Sequence, residues 1–322
     1  MQLVVVNEQG GPEVLKLEER PTPQPGAGQA LVKVAAVGVN FQDIYRRSGL
    51  YKVPLPFYPG SEGAGVVTVV GPGVTEVKPG DRVAWLDASG SYASEAIIAA
   101  DKLMLLPQGL SFEAAAAVML QGLTAYVLTH EAYRLQPGES CLVHAAAGGV
   151  GLLLCQMAKM IGARVIGTTS TEAKAEKARE AGANEVILYT TQDFESEVKR
   201  ITGNKGVQVV YDSVGKDTFD KSLNCLATRG YMVLFGQSSG LVPLFDIQRL
   251  SGPRSLFLTR PMLFDYVRDR AALQHHSNVL LDWVLTGRLK VHIHRAYPLT
   301  QVAESHKALA SRQTTGKLLL VP

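Results

Sequence analysis

The run Val143-His144-Ala145-Ala146-Ala147-Gly148-Gly149-Val150-Gly151 carries the most specific chemistry in the sequence. Ala146, Gly148 and Gly151 hold the three small-residue positions of a G-x-G-x-x-G variant, after an apolar run and at the opening of a helical one. Missing side chains let the backbone turn tightly and approach a diphosphate. The first amides of the helix, at its positive dipole end, complement the negative charge. This is chemistry for holding a dinucleotide. Small residues also permit close strand–helix packing, and the strand–turn–helix setting is what favours the nucleotide over packing alone.

The residues that follow bear on the choice of nicotinamide cofactor. NAD proteins place Asp or Glu about 20 residues after the glycines, against the ribose 2′-hydroxyl. Here the second strand ends in Gly167-Thr168-Thr169-Ser170-Thr171, without a carboxylate. Glu172 comes next, but Thr169-x-x-Glu172 reads as a capping box that turns the acid back toward the helix start. Lys174 lies in the first helical turn, where a cation opposes the dipole. A 2′-phosphate makes that placement favourable, so NADPH is the expected cofactor. A solvated lysine on a surface helix is the alternative.

Asn40, Tyr45 and Tyr51 are candidates to hydrogen-bond an acceptor carbonyl where negative charge develops. Turn chemistry for Asn40 and packing for the tyrosines are the competing readings. His144 follows a strand and is expected to bond locally rather than titrate. His275, His276, His292 and His294 are expected at the surface; His292 and His294 alternate like a metal pair but lack a third ligand. Cys141, Cys155 and Cys225 sit apart in apolar stretches, with no CxxC and an odd count, so buried thiols in a reducing compartment are expected.

Positioning these groups requires a sizeable scaffold. The chain has 322 residues, 46% hydrophobic and 19% charged, suited to two globular domains. A net charge of +3 without a dense basic face gives no reason to expect a nucleic-acid partner. The N-terminal Met1-Gln2-Leu3-Val4-Val5-Val6 resembles a strand rather than a targeting leader. No apolar run is expected to span a bilayer, and a cytoplasmic location follows as the expectation.

Up to about Gly109, short apolar or alternating runs (31–37, 65–70, 83–85, 92–99, 102–106) are separated by turns such as Pro25-Gly26 and Pro79-Gly80-Asp81. After Ser111-Phe112-Glu113 an alanine-rich helix begins. Strand 141–145 then precedes helix 150–161, and strand 164–167 precedes helix 171–181. Strands follow at 186–188, 207–212, 231–235 and 256–258. Apolar strands alternating with helices predict an α/β, doubly wound parallel sheet. A helical segment to residue 285 and a strand at 317–321 close the chain.

At these residues the sequence is similar to the quinone oxidoreductase (zeta-crystallin-like) branch of the medium-chain dehydrogenase/reductase superfamily, bacterial NADPH:quinone reductases above all. The likeness rests on Gly138-Glu139-x-x-Leu142, Ala146-Ala147-Gly148-Gly149-x-Gly151, Gln156 and Lys159. It extends through Gly60-Ser61-Glu62-Gly63, Gly71, Gly73, Gly80-Asp81-Arg82-Val83, Val39-Asn40-Phe41, Tyr211-Asp212-Ser213-Val214-Gly215, Phe235-Gly236 and Thr259-Arg260-Pro261. The resemblance implies a Rossmann domain (125–262) inserted in a GroES-like β-rich catalytic domain built from 1–124 and 263–322. It also implies a homodimer joined through the last Rossmann strands.

For the site, the resemblance implies that Phe41, Gln42, Asp43, Ile44 and Tyr45 would line the nicotinamide with Asn40. Tyr126, Gly148, Gly149 and Val150 would meet the phosphates and nicotinamide ribose, and Ser170, Lys174, Tyr189 and Arg312 the 2′-phosphate. Ser213, Phe235, Gly236 and Gln237 would touch adenine and ribose, while Leu258, Thr259 and Arg260 would close over the nicotinamide. Tyr126 and Tyr189 fit equally well as residues at a core edge. Zinc enzymes of the superfamily bind metal through Cys, His and Cys. Asn40 stands at the first Cys, Ser61 replaces the His, and the cysteine-rich lobe after Trp85 is missing, so no metal is expected. The implied activity is NADPH-dependent reduction of a quinone. Reduction of an enone or enoyl thioester, with Tyr51 as proton donor, is the alternative, as is a non-catalytic crystallin or RNA-binding role.

Overall fold

A computed structural model describes residues 1–252 and 254–322. In chain order the first elements are β1 (Gln2–Val6), β2 (Leu15–Glu19), β3 (Gln29–Val39), α1 (Phe41–Arg47), β4 (Glu62–Val70), β5 (Arg82–Leu86), β6 (Glu95–Ala99), β7 (Leu103–Leu105) and α2 (Phe112–Val127). Strand and helix then alternate through β8 (Ser140–Val143), α3 (Gly149–Ile161), β9 (Arg164–Thr169), α4 (Glu172–Glu180), β10 (Glu185–Leu188), α5 (Phe194–Ile201), β11 (Val207–Asp212), α6 (Phe219–Asn224) and β12 (Leu226–Leu234). The chain ends with α7 (Gln248–Ser251), β13 (Phe257–Thr259), α8 (Leu263–Tyr266), α9 (Arg270–Leu285), β14 (Ile293–Pro298), α10 (Val302–Ala310) and β15 (Lys317–Val321). Met1–Leu123 and Val267–Pro322 make one unit, and Thr124–Tyr266 the other. The second boundary falls after Tyr266 rather than at 262, because α8 groups with the parallel-sheet unit.

In the first unit the long β3 carries Val32, Val34, Val37 and Val39, β-branched residues that pack on a pleated surface. The main sheet runs β14-β15-β3-β4-β5-β7, with β6 also paired to β3. Its core includes Val32, Val37, Trp85, Ile98, Leu318 and Leu320. Two registers matter for the site. Antiparallel β15 sets Leu318 opposite Val39 and Leu319 opposite Gly38, which brings Lys317 to the residue after β3, Asn40. Pairing of β3 with β4 sets Val37 opposite Gly63, which brings Glu62 alongside Gly38.

The second unit is a six-stranded parallel sheet of order β10-β9-β8-β11-β12-β13. Its central strands are largely apolar, as burial on both faces requires; Leu142, Ile166, Val210 and Met232 form part of the core. The strand order reverses between β8 and β11, the place where doubly wound sheets open a crevice at their carboxyl ends.

Two expectations are corrected here. The helical stretch Phe112–Ala132 is long and apolar enough, by length and composition, to cross a membrane. Its apolar window is 61% buried inside the protein, which accounts for that composition as core packing. His276 is buried rather than at the surface, and its Nδ1 lies 2.6 Å from the Ala272 carbonyl. His275, His292 and His294 are exposed.

Candidate active site

In the second unit the site is built from backbone. The chain leaves β8 through buried His144 and enters α3 at Gly148, whose extended backbone offers no capping side chain. His144 is held between Thr168 Oγ1 (3.0 Å) and Ser222 Oγ (2.8 Å), and burial lowers its pKa. Ala145 takes the left-handed region at φ 50°, strain that turns the chain back on itself. Gly148 N–H then donates to the Ala145 carbonyl at 2.8 Å. A Cβ on Gly151 would stand 2.3 Å from that carbonyl oxygen and 2.8 Å from Ala146 Cα, so only glycine fits. The small residues thus serve both packing and access, and among the described residues no N-cap side chain covers the start of α3. A diphosphate suits this cradle in shape and in charge.

At the end of β9, Ser170 is followed by Thr171, whose Oγ1 caps α4 by accepting Lys174 N–H at 3.4 Å. The expected capping box from Thr169 to Glu172 does not form. Thr169 is buried in the strand, and Glu172 runs along the outside of α4 to pair with Arg179. Glu172 is therefore not turned back toward the end of β9. Tyr189 follows β10 in register with the end of β9, its N–H donating to the Thr169 carbonyl at 3.1 Å, and its ring is exposed. Lys174 is partly buried, which lowers its pKa.

The turns after β11 and β12 are tied together. Asp212 is buried and accepts Val214 N–H (2.7 Å), Gly215 N–H (3.1 Å) and the Thr218 hydroxyl (2.7 Å). Its carbonyl takes the amides of Phe235 and Gly236, and the Ser213 carbonyl takes Ser238 N–H at 3.1 Å. Buried Gln237 accepts Arg260 Nη2 at 2.8 Å, fixing the residue after β13. Ser213, Phe235, Gly236, Gln237 and Arg260 therefore gather at the carboxyl edge of one sheet, with Leu258 and Thr259 on its outer strand. Tyr126 stacks on His130 with centroids 4.3 Å apart.

In the first unit the site is built from side chains around α1. Lys317 and Glu62, 1% and 0% exposed, form a buried ion pair at 2.6 Å. Asn40 joins both: its Oδ1 accepts Lys317 Nζ at 2.7 Å and its Nδ2 donates to Glu62 Oε1 at 2.6 Å. The other Glu62 oxygen accepts Leu120 N–H at 2.6 Å. A Cβ on Gly38 would meet Glu62 Oε1 at 2.1 Å, so the glycine makes room for the pair.

A second chain of hydrogen bonds starts from Asp43, which is fully buried. Its Oδ2 accepts Asn40 N–H and the Tyr92 hydroxyl, both at 3.0 Å. Tyr92 Oη lies 3.2 Å from His306 Nε2, and His306 Nδ1 lies 3.4 Å from Arg47 Nη1. Arg47 is always a donor, so Nδ1 accepts and Nε2 carries the proton. The bonds therefore run in one direction, from Arg47 through His306 and Tyr92 to Asp43. Burial raises the Asp43 pKa to about 6, while burial and the Arg47 charge lower that of His306 to about 3.

Two expected site residues change role on this geometry. Asn40, with 4% exposure and both amide atoms engaged, positions the start of α1 instead of presenting an amide to an acceptor. Asp43 faces the interior and has no surface for a cofactor. Phe41 and Ile44 are half-buried against the β core. Tyr45 and Tyr51 stand edge to face with centroids 5.2 Å apart, and Tyr51 is 38% exposed. Gln42 donates to Ser61 Oγ at 2.8 Å. Arg312 is exposed in the loop after α10.

Sequence reasoning missed Lys317, Tyr92, Arg47 and His306. Only Glu62 stood inside a motif, and a buried lysine or histidine leaves no local signature. Among the described residues no group of three or more His, Cys, Asp and Glu is arranged to hold a metal.

Residues 26–137 match the alcohol dehydrogenase GroES-like domain, and residues 149–263 match the zinc-binding dehydrogenase domain. Quinone oxidoreductase 1 of Escherichia coli is 46% identical over 98% of both chains. A 2-haloacrylate reductase of a Burkholderia species is 42% identical, covering 99% of this chain and 98% of its own. The crystal structure of Escherichia coli quinone oxidoreductase complexed with NADPH superposes with a TM-score of 0.98 at 45% identity over the whole of both chains. With a GroES-like domain, a Rossmann sheet and relatives this similar over its full length, the chain is an oxidoreductase and belongs to the quinone oxidoreductase family of the medium-chain dehydrogenase/reductase superfamily.

Proposed function

We propose that the protein is a zinc-independent, NADPH-dependent quinone reductase. The observation that carries this reading is the uncapped start of α3 above a turn with no room for a Cβ at Gly151. NADPH, when bound, supplies the hydride; the protein supplies binding, orientation and electrostatics. Gly149 and Val150 amides receive the diphosphate, and Ser170, Lys174 and Tyr189 the 2′-phosphate. The half-buried Lys174 and the lack of a carboxylate at the end of β9 support NADPH over NADH.

On the acceptor side, Tyr45 and Tyr51 hydrogen-bond the oxygen that gains charge. Asn40 and Asp43 are positioning residues for the helix that carries Tyr45. Zinc independence is supported by Lys317, whose ammonium sits 2.7 Å from Asn40 Oδ1. A metal there would face a buried cation and an amide instead of thiolate and imidazole. Metal analysis that finds stoichiometric zinc overturns this part.

The outer strand β13 carries Phe257 and Leu258 at 42% and 38% exposure, which supports a homodimer formed by pairing two such edges. Sedimentation as a monomer at micromolar concentration overturns that. Three buried, unpaired thiols agree with a cytoplasmic location.

The 42% identity to a 2-haloacrylate reductase favours a second reading, reduction of an activated double bond, with the exposed Tyr51 as proton donor. NADPH oxidation with ortho-quinones, para-quinones, enones and crotonyl thioesters separates the two. Turnover of quinones is expected; turnover of the alkenes alone replaces the first reading with the second.

A further inference from the structure

Arg46 carries a charge that the protein does not spend on a carboxylate. It lies one turn after Gln42 on α1, on the same face. Both side chains converge on Ser61 Oγ, Gln42 Nε2 at 2.8 Å and Arg46 Nη1 at 3.1 Å. Ser61 is 2% exposed, so one corner of the guanidinium is anchored to a buried hydroxyl while Arg46 itself stays partly exposed. Its other N–H groups meet no acceptor among the described residues.

The carboxylates nearby are committed elsewhere. Asp43 is turned inward to Asn40 and Tyr92, and acts on Arg46 only through space. Glu62, the neighbour of Ser61, is paired with Lys317. Tyr45, next to Arg46 on α1, stands edge to face with Tyr51 from the loop that follows, a pair that suits a flat, apolar body. A guanidinium held at one nitrogen with its remaining donors open is suited to a planar or branched anionic oxygen group.

We infer that Arg46, with Gln42 and Ser61 orienting it, is an anion subsite selecting acceptors that bear a carboxylate or sulfonate beside the reducible group. This rests on the acceptor-side reading of α1 given above. The subsite binds and orients; no bond forms or breaks at it.

The test compares an ortho-naphthoquinone with the same quinone carrying a sulfonate, in the wild type, Arg46→Leu and Arg46→Lys. Loss of a charge-assisted fork should raise KM for the sulfonated quinone about tenfold or more in Arg46→Leu, with kcat changed much less. The neutral quinone should keep its kcat/KM within about twofold, since the guanidinium is not its partner. Arg46→Lys should recover part of the loss, as a point charge without the fork. Binding of a naphthalenesulfonate, which cannot be reduced, reads the same subsite without turnover and should weaken to a similar degree. If the wild type reduces no quinone but binds this probe through Arg46, the quinone reading fails and the subsite stands. If Arg46→Leu lowers both quinones equally, or leaves probe affinity unchanged, the subsite is overturned.

Discussion

Each of the two units carries a candidate binding surface, and the two surfaces are made from different materials. After β8 the candidate surface is backbone: a left-handed alanine, a turn closed by one amide, and a helix start without a side-chain cap. Around α1 it is a set of buried charges and polar side chains from α1 and its N-cap, β4, β15, α10 and the loop before β6, each holding the next. Backbone geometry suits a ligand whose chemistry does not vary, a diphosphate. A side-chain frame fixes a helix from its inner face, while Gln42, Tyr45 and Arg46 on its outer side stay only partly buried.

The contrast is tested most severely at Lys317. Lys317→Met leaves Glu62 charged and unpaired in the interior, and chemical denaturation should show a loss of about 3–5 kcal/mol. Adding Glu62→Gln should return much of it; if the single variant is as stable as the wild type, the network is not what holds α1. The next largest effect belongs to the cofactor side. Lys174→Ala should weaken NADPH about tenfold or more while leaving NADH unchanged, read by fluorescence titration with each cofactor. Gly151→Ala forces a methyl into backbone and should cost about 1–3 kcal/mol of stability along with NADPH affinity.

The glycine turn was legible because its parts are contiguous: small residues at fixed spacing between an apolar strand and a helix state their purpose locally. The network at α1 was not, because its partners meet only after the fold forms. Lys317 is 277 residues from Asn40, and His306 is 259 from Arg47. Nothing near Lys317 in the sequence separates it from a solvated lysine until β15 pairs with β3. Glu172 was misread for a related reason. Its spacing from Thr169 fits a capping box, but the strand continues through Thr169 and the cap moves to Thr171.

A smaller effect separates the networks by pH. Asp43 is raised to about 6 from 3.8, so the folded state binds its proton more tightly and stability falls as pH rises between those values. His306 is lowered to about 3 from 6.5, so the unfolded state binds more protons and stability rises with pH across that window. Between pH about 4 and 6 the two slopes oppose each other. Replacing His306 by Gln should unmask the Asp43 slope, a stability gain on acidification of about 1 kcal/mol per pH unit. A flat profile in that variant contradicts a buried, titrating Asp43. The smallest change is expected from Glu172→Gln, which breaks an exposed pair worth less than about 1 kcal/mol and should leave NADPH preference untouched.

In the proposed function, amides at the start of α3 hold the dinucleotide. Hydrogen–deuterium exchange of the wild-type protein, with and without saturating NADPH, reads those amides directly. Exchange across 146–152 should slow strongly on cofactor addition, with a second protected stretch at 169–174. Unchanged exchange at the glycine turn in protein that is saturated with NADPH would contradict the account.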